Sequence, residues 1–368
     1  MGVEVPFVDL RAQYAALRDR IEPAVMAVME RAAFILGDEV SSFEERFAGF
    51  CGVEHCVGVA SGTDALLLAL RAAGIGPGDE VITAANTFTA TVMAIKASGA
   101  RPVLVDCRPD TALVDVDQVA SAITDRTRAL MPVHLYGQAV SVEDLQPLAR
   151  DNELVVVEDA AQAHGATRHG RPCGSLGELG CFSFYPGKNL GAYGDGGAVV
   201  CRDEDLAERL HMLRNYGQRH KNRHELCGWN SRLDTVQAAV LDIKLDHLDR
   251  WNEARRAHAD TYTQRLSGLP IVLPVVDVGN RHVYHLFVVR TPHRERLLAF
   301  LGERGVSCGV HYPTPIHLQE AHADLGHSPG DFPAAEKMAG ECLSLPMFPE
   351  LRPEQIEHVC SSIADFFS

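Results

Sequence analysis

Apolar residues recur along the chain with two different periods, and the alternation between them sets the first expectation. Leu10, Tyr14, Leu17, Ile21, Val25 and Val28 fall three or four residues apart, the stripe of an amphipathic helix. Gly37 interrupts that stripe before Val40, Phe43, Phe47 and Phe50 continue it, so residues 7–50 are expected to form two helices. Beyond them, short apolar runs near 56–60, 80–84, 102–106, 129–133 and 154–158 read as buried strands. Helical stretches near 88–98, 117–123 and 142–151 separate them. Such alternation builds an α/β fold with a mostly parallel, doubly wound sheet and its site at the strand ends. Two more apolar segments between Gly180 and Cys201 follow, then helices near 203–213, 234–246 and 247–266. The large domain is expected to span residues 1–250. Residues 251–368 read as a smaller C-terminal α+β domain, with strand Tyr284–Val289, helix Arg294–Arg304, strand Ser307–Val310 and helix Pro353–Phe367.

Composition narrows the function classes. A formal charge of −15 argues against broad nucleic-acid binding, which needs basic surface. No apolar run reaches the roughly 18 residues of a membrane span, and no secretion signal is read at the amino terminus. Ten cysteines scattered from Cys51 to Cys360 read as reduced thiols, so the expected location is the cytoplasm. Cys51, His55 and Cys56 lie close together but lack a second ligand pair, and no metal is expected.

The candidate chemistry sits between Leu154 and Val200. The run Leu154-Val155-Val156-Val157 ends in Glu158-Asp159, and neighbouring strand residues point to opposite faces, so the two acids cannot share one cleft. Downstream, Lys188 stands in the glycine-rich loop Tyr185-Pro186-Gly187-Lys188-Asn189-Leu190-Gly191. A lone lysine is ordinarily a solvated charge. Shielded from water, it loses proton affinity and becomes an amine nucleophile for an aldehyde. Pyridoxal phosphate asks for both parts at once, a lysine at its aldehyde and a carboxylate at its ring nitrogen. Ser61-Gly62-Thr63 turns strand 56–60 into a helix whose first amides would seat a phosphate; an ordinary helix cap is the other reading. Gly76-Pro77-Gly78-Asp79 is a turn, and no dinucleotide fingerprint GxGxxG is present. In Asn215–Lys221, Arg219 and Lys221 either belong to a solvated loop or hold a diphosphate. His311-Tyr312-Pro313-Thr314-Pro315-Ile316-His317 reads as a rigid pocket-lining loop, with a plain surface loop as the alternative. His322 and His327 are read as exposed.

Four motifs in order resemble one family across nearly the whole chain. They are Ser61-Gly62-Thr63-Asp64-Ala65-Leu66, Val157-Glu158-Asp159-Ala160-Ala161-Gln162-Ala163-His164-Gly165, Ser183-Phe184-Tyr185-Pro186-Gly187-Lys188-Asn189 and Asn230-Ser231-Arg232-Leu233-Asp234. The chain resembles the DegT/DnrJ/EryC1/StrS sugar aminotransferases. The resemblance implies the aspartate-aminotransferase-like fold, which is fold type I of the pyridoxal phosphate enzymes. It implies that Lys188 holds the cofactor and acts as the general base, while Asp159 pairs with the ring nitrogen and Gln162 contacts the ring hydroxyl. By the same resemblance Phe88 stacks on the ring, and Ser183 joins Gly62 and Thr63 at the phosphate. Asn230 reaches the cofactor phosphate of a neighbouring subunit, so a homodimer with shared sites is expected, its helical arm contributing to subunit contact. Tyr185, Lys221, His311, Tyr312 and His317 are expected near a nucleotide sugar.

Members acting at sugar C4 tend to carry a His-Ala-Thr or similar triplet before the lysine. This chain has Tyr185-Pro186-Gly187 there and Val133-His134-Leu135-Tyr136-Gly137 upstream, resembling enzymes that aminate C3 of a dTDP-linked 3-keto-6-deoxyhexose with L-glutamate as donor. The product would be a dTDP-3-amino-3,6-dideoxyhexose of deoxyaminosugar biosynthesis, as for antibiotics. Amination of a 4-keto nucleotide sugar or a cyclitol, and a non-catalytic regulatory protein that binds the cofactor, remain the alternatives. Sugar dehydratases of the family replace the lysine with histidine, and Lys188 counts against that route.

Overall fold

The computed structural model describes residues 3–368. Two helices open it, α1 (Leu10–Arg31) and α2 (Asp38–Cys51), as the apolar stripe predicts. The Asp9 carboxylate caps α1 by accepting from the amides of Arg11 and Ala12, both at 3.0 Å. The chain then alternates: β1 (His55–Val59), α3 (Gly62–Ala72), β2 (Glu80–Ala84), α4 (Thr89–Ser98), β3 (Arg101–Val105), α5 (Val116–Ala122), β4 (Thr127–Leu130), α6 (Val142–Asp151) and β5 (Val155–Asp159). Strands Leu179–Ser183 and Gly197–Cys201 flank the lysine loop, followed by α7 (Glu204–Leu213), α8 (Thr235–Leu245) and α9 (Leu248–Leu266).

These strands form a seven-stranded sheet in the order β1, Gly197–Cys201, Leu179–Ser183, β5, β4, β2, β3. Strand Gly197–Cys201 pairs antiparallel with both neighbours, and the other pairings are parallel. Alternate residues feed two cores. Ile82, Val156, Phe182 and Val200 pack with Phe43 and Phe47 of α2 on one face. Val81, Val157, Cys181 and Val199 pack with Leu66 and Leu70 of α3 on the other. Both faces are covered, so the strands carry continuous apolar runs rather than an alternating pattern.

A third cluster joins Val5, Tyr262, Phe287, Leu343, Val359 and Ile363. Its elements are α9, Phe287–Arg290, α10 (Arg294–Glu303), Cys342–Leu345 and α12 (Pro353–Phe367), while α11 (Pro333–Glu341) packs Ala335 and Met338 on the first core. Two expectations change here. The strand expected from Tyr284 begins at Phe287, because Tyr284 has φ +43°, outside any strand conformation. Ser307–Val310 is no strand: Gly309 makes a single bridge to Ser344, and Cys342–Leu345 is the partner of Phe287–Arg290. The polar run after Asn215 holds a small hairpin, Gln218–His220 against Arg223–His224. No described helix is long and apolar enough to cross a membrane. All ten cysteines are free thiols.

Candidate active site

The carboxyl ends of the parallel strands converge on a cavity of about 510 Å³. β5 delivers Asp159 to it while Glu158 points the other way. There Glu158 accepts the amides of Gly174, Leu176 and Gly177 at 2.7–2.8 Å and bonds His134 Nε2 at 2.7 Å. The Val140 amide donates to His134 Nδ1, so Nε2 carries the proton and donates to Glu158. With those partners in place, the buried group His134, Glu158 and Cys173 is a structural knot rather than a metal site.

Asp159 is buried, with Oδ2 accepting from the Thr91 hydroxyl at 2.8 Å and Oδ1 from the Ala161 amide at 3.2 Å. Burial raises its pKa, against the opposing pull of those two bonds and of Lys188. Lys188 lines the same cavity, where burial pulls its pKa down to about 8 and Asp159 opposes the shift. The amine is therefore part neutral at ordinary pH. Its nucleophilic fraction should rise about tenfold per pH unit up to pH 8 and then level. Borohydride trapping of pyridoxal phosphate on residue 188 across pH measures this; a rate still climbing tenfold per unit at pH 10 would mean an unshifted lysine.

Three imidazoles surround the amine without competing for its proton. Burial, reinforced by the Lys188 charge, pushes His164 down to about 3 and His311 to about 4, and pushes His285 well down too. His285 also bonds Asn189 Oδ1 at 3.3 Å.

At the start of α3, the Ser61 hydroxyl accepts the Asp64 amide at 3.1 Å. The next amides, those of Gly62 and Thr63, have no partner within the helix and lie on the cavity wall. Ser183 faces them so closely that a Cβ on Gly62 would stand 2.5 Å from Ser183 Cβ. No side chain fits at Gly62, and the helix-start amides beside it are left to meet an anion.

Gln162 is fixed at both ends: Oε1 accepts the Tyr136 amide at 2.6 Å and Nε2 donates to the Tyr312 hydroxyl at 3.1 Å. The Tyr136 hydroxyl donates to the His311 carbonyl at 2.5 Å. Phe88, just ahead of α4 and half exposed, meets the Tyr312 ring at 5.2 Å between centroids. A lysine, a buried carboxylate, an amide cradle and an aromatic lid thus line one cavity.

Residues 16–364 match the DegT/DnrJ/EryC1/StrS aminotransferase family. The chain belongs to that family. It is 50% identical over 363 residues to the dTDP-3-amino-3,4,6-trideoxy-alpha-D-glucose transaminase of Streptomyces venezuelae, covering 98% of this chain and 96% of that one. It is 48% identical over 368 residues, 99% of each chain, to a protein of Geobacillus stearothermophilus named pleiotropic regulatory protein. The solved structure of S. venezuelae DesV in complex with a ketimine intermediate superposes with a TM-score of 0.98 at 49% identity, covering 99% of both chains.

In this aminotransferase fold, the structure brings Gly62, Thr63, Phe88, Asp159, Gln162, Ser183, Tyr185, Lys188, His311 and Tyr312 to the cavity. It does not bring Lys221, which lies exposed on the small hairpin, nor Asn230, exposed where it bridges Asn215. His317 is also elsewhere, buried against Phe332 with Nε2 3.0 Å from Glu336. Arg219, a second candidate for a diphosphate, is engaged by Glu208 and Glu225. His322 is buried rather than exposed, its Nε2 bonded to Thr89 at 2.9 Å. Thr91 and His285 line the cavity and were not expected there, while Tyr136 holds Gln162 and the His311 carbonyl from behind and His164 packs on Phe182 and Phe184. For Thr91 a signal existed: Thr87 and Thr91 are hydroxyl residues four apart across the start of α4, and their hydroxyls bond at 2.8 Å.

Proposed function

We propose that the chain is a pyridoxal 5'-phosphate-dependent aminotransferase that converts a dTDP-3-keto-6-deoxyhexose to the dTDP-3-amino-3,6-dideoxyhexose, with L-glutamate as amino donor. The observation that carries the reading is the placement of the Lys188 amine and the buried Asp159 carboxylate on one cavity beside the Gly62–Ser183 cradle. That set fits the cofactor. When bound, pyridoxal phosphate supplies an aldehyde that bonds amines covalently and a ring that accepts the electron pair left at the donor's α-carbon. The amides of Gly62 and Thr63 and the Ser183 hydroxyl would hold the phosphate, Asp159 the ring nitrogen, Gln162 the ring hydroxyl and Phe88 one ring face. The negative charge of the ionised Asp159 carboxylate, fixed in place by the Thr91 hydroxyl and the Ala161 amide, would favour the protonated form of that nitrogen.

Lys188 Nζ would hold the cofactor's aldehyde carbon, and as a free amine it would take the proton from the donor's α-carbon. In the second half it returns a proton to the sugar carbon that receives nitrogen. The keto acid departs before the keto sugar enters, so double-displacement kinetics are expected. The neutral imidazoles of His164, His285 and His311 leave the amine as the basic group with the highest proton affinity among them.

The sugar loop Tyr185-Pro186-Gly187 and the relative that is a dTDP-3-amino-sugar transaminase support C3 as the carbon aminated. Incubation of purified protein with glutamate and either 3-keto or 4-keto dTDP sugars tests it, with the position of nitrogen read by NMR. Amination of the 4-keto substrate alone would overturn the C3 assignment.

The assembly is read as a homodimer, with a division between large and small domains near residue 250. Asn230 is exposed and away from its own cavity, and Met26, Met29, Phe34 and Ile35 expose an apolar face that a second copy would bury. Asn230→Ala should weaken cofactor affinity by about tenfold, the loss expected for one charge-assisted hydrogen bond to phosphate. An unchanged affinity in a fluorescence titration would place that residue outside the site.

A further inference from the structure

Lys244 is a buried cation that no step of this reaction uses. It lies on α8 and is 0% exposed. Its Nζ donates to the Gly191 carbonyl at 2.6 Å and sits 4.0 Å from the centroid of the Tyr193 ring. A carbonyl oxygen and a ring face are weak compensation for an ammonium taken out of water. Burial accordingly pulls its pKa down to about 7, although Glu350 opposes the shift. An apolar side chain of the same length would fill this space without that cost.

What the cation touches gives the reason for it. Both contacts lie on the loop that carries Lys188, three and five residues after it. Gln237, two helical turns earlier on α8, accepts the Tyr193 amide at 2.8 Å and donates to the Tyr193 carbonyl at 3.3 Å. One face of α8 thus grips the loop at Gly191 and Tyr193. Gly191 is packed so tightly that a Cβ there would stand 2.3 Å from the Pro186 carbonyl oxygen, so the loop closes on itself around residue 188. A separate anchor holds Asn189, whose Nδ2 donates to Asn252 Oδ1 at 2.8 Å and to the Val283 carbonyl at 3.0 Å.

We propose that Lys244 is a positioning residue for Lys188: by bonding the Gly191 carbonyl it fixes the loop that aims the catalytic amine. The inference rests on the aminotransferase reading of Lys188. It explains why a buried charge with no contacting carboxylate is kept, as stability given up for geometry.

Full-length Lys244→Met and Lys244→Gln, reconstituted with pyridoxal phosphate, test it. Measured are thermal midpoint, kcat, KM for glutamate and the rate of borohydride trapping at residue 188. The methionine variant is expected to keep or raise the midpoint while kcat and the trapping rate fall about 10- to 100-fold, the scale of a misplaced catalytic group. KM should stay within about twofold, because neither Gly191 nor Tyr193 lines the cavity. Glutamine, an uncharged donor to Gly191, should recover part of the loss. Wild-type kcat and trapping in Lys244→Met overturn the proposal. So does a lowered midpoint with equal loss in both variants, which would make Lys244 structural only. A wild-type protein that traps cofactor but transfers no amino group counts against the substrate reading, and the trapping rates still decide the role of Lys244.

Discussion

Lys188→Ala is expected to lower amino transfer by at least about 10⁴-fold, because the proposed mechanism draws both the covalent anchor and the general base from this one side chain. The same substitution should cost the fold little. The lysine sits half-buried at the cavity wall, and the environment already penalises its charge, as its lowered pKa of about 8 records. Removing a desolvated ammonium relieves that penalty, so the thermal midpoint should hold or rise slightly. Cofactor affinity should weaken without vanishing, since the Gly62–Ser183 cradle, Asp159 and Gln162 do not depend on the amine. Mass spectrometry after borohydride checks the anchor, and a coupled glutamate assay checks turnover. A variant that still transfers amino groups at a tenth of the normal rate would remove Lys188 from the mechanism.

That site was legible because its parts are local. A run such as Val155-Val156-Val157 is readable as a buried strand, and the polar residues at its end inherit their position from it. The strict alternation of side chains along a strand is enough to separate Asp159 from Glu158, and the two do face apart. The lysine loop, the helix start at Ser61 and the first two helices are legible for the same reason. What was not legible depends on partners far away in the chain. Ser307–Val310 has strand-like residues, but the register beside Phe287–Arg290 is taken by Cys342–Leu345. His322 looks exposed among Ala321, Ala323 and Asp324, yet Thr89 and the start of α4 cover it from 233 residues away. Thr91 could be seen as one polar face of a helix, while its bond to Asp159 required knowing which strand end it meets. His285 follows Tyr284, whose left-handed φ of +43° breaks the strand and sets the segment that lines the cavity.

Asp159→Asn should separate cofactor binding from cofactor function. The wild-type carboxylate accepts from the Thr91 hydroxyl and the Ala161 amide, and Thr91 is itself tied to Thr87. An asparagine of the same shape can still accept one of these bonds, with its amide turned toward the cavity or toward Thr91 oxygen. It carries no charge with which to hold a proton on the ring nitrogen, so the electron pair freed at the substrate carbon finds a poorer sink. Turnover is expected to fall about 100- to 1000-fold, the scale of losing a preorganised electrostatic partner. Borohydride should still trap cofactor on Lys188, which distinguishes this variant from Lys188→Ala; near-normal turnover would contradict the ring-nitrogen role. Stability gives an independent reading with a definite sign. Because burial raises the Asp159 pKa above its unfolded value, the carboxyl opposes folding increasingly as pH rises from the unfolded value through the folded one. The asparagine variant should therefore gain most in thermal midpoint, relative to wild type, near neutral pH in the absence of cofactor. As pH falls toward the ordinary carboxylate range, both side chains become neutral and the difference should shrink.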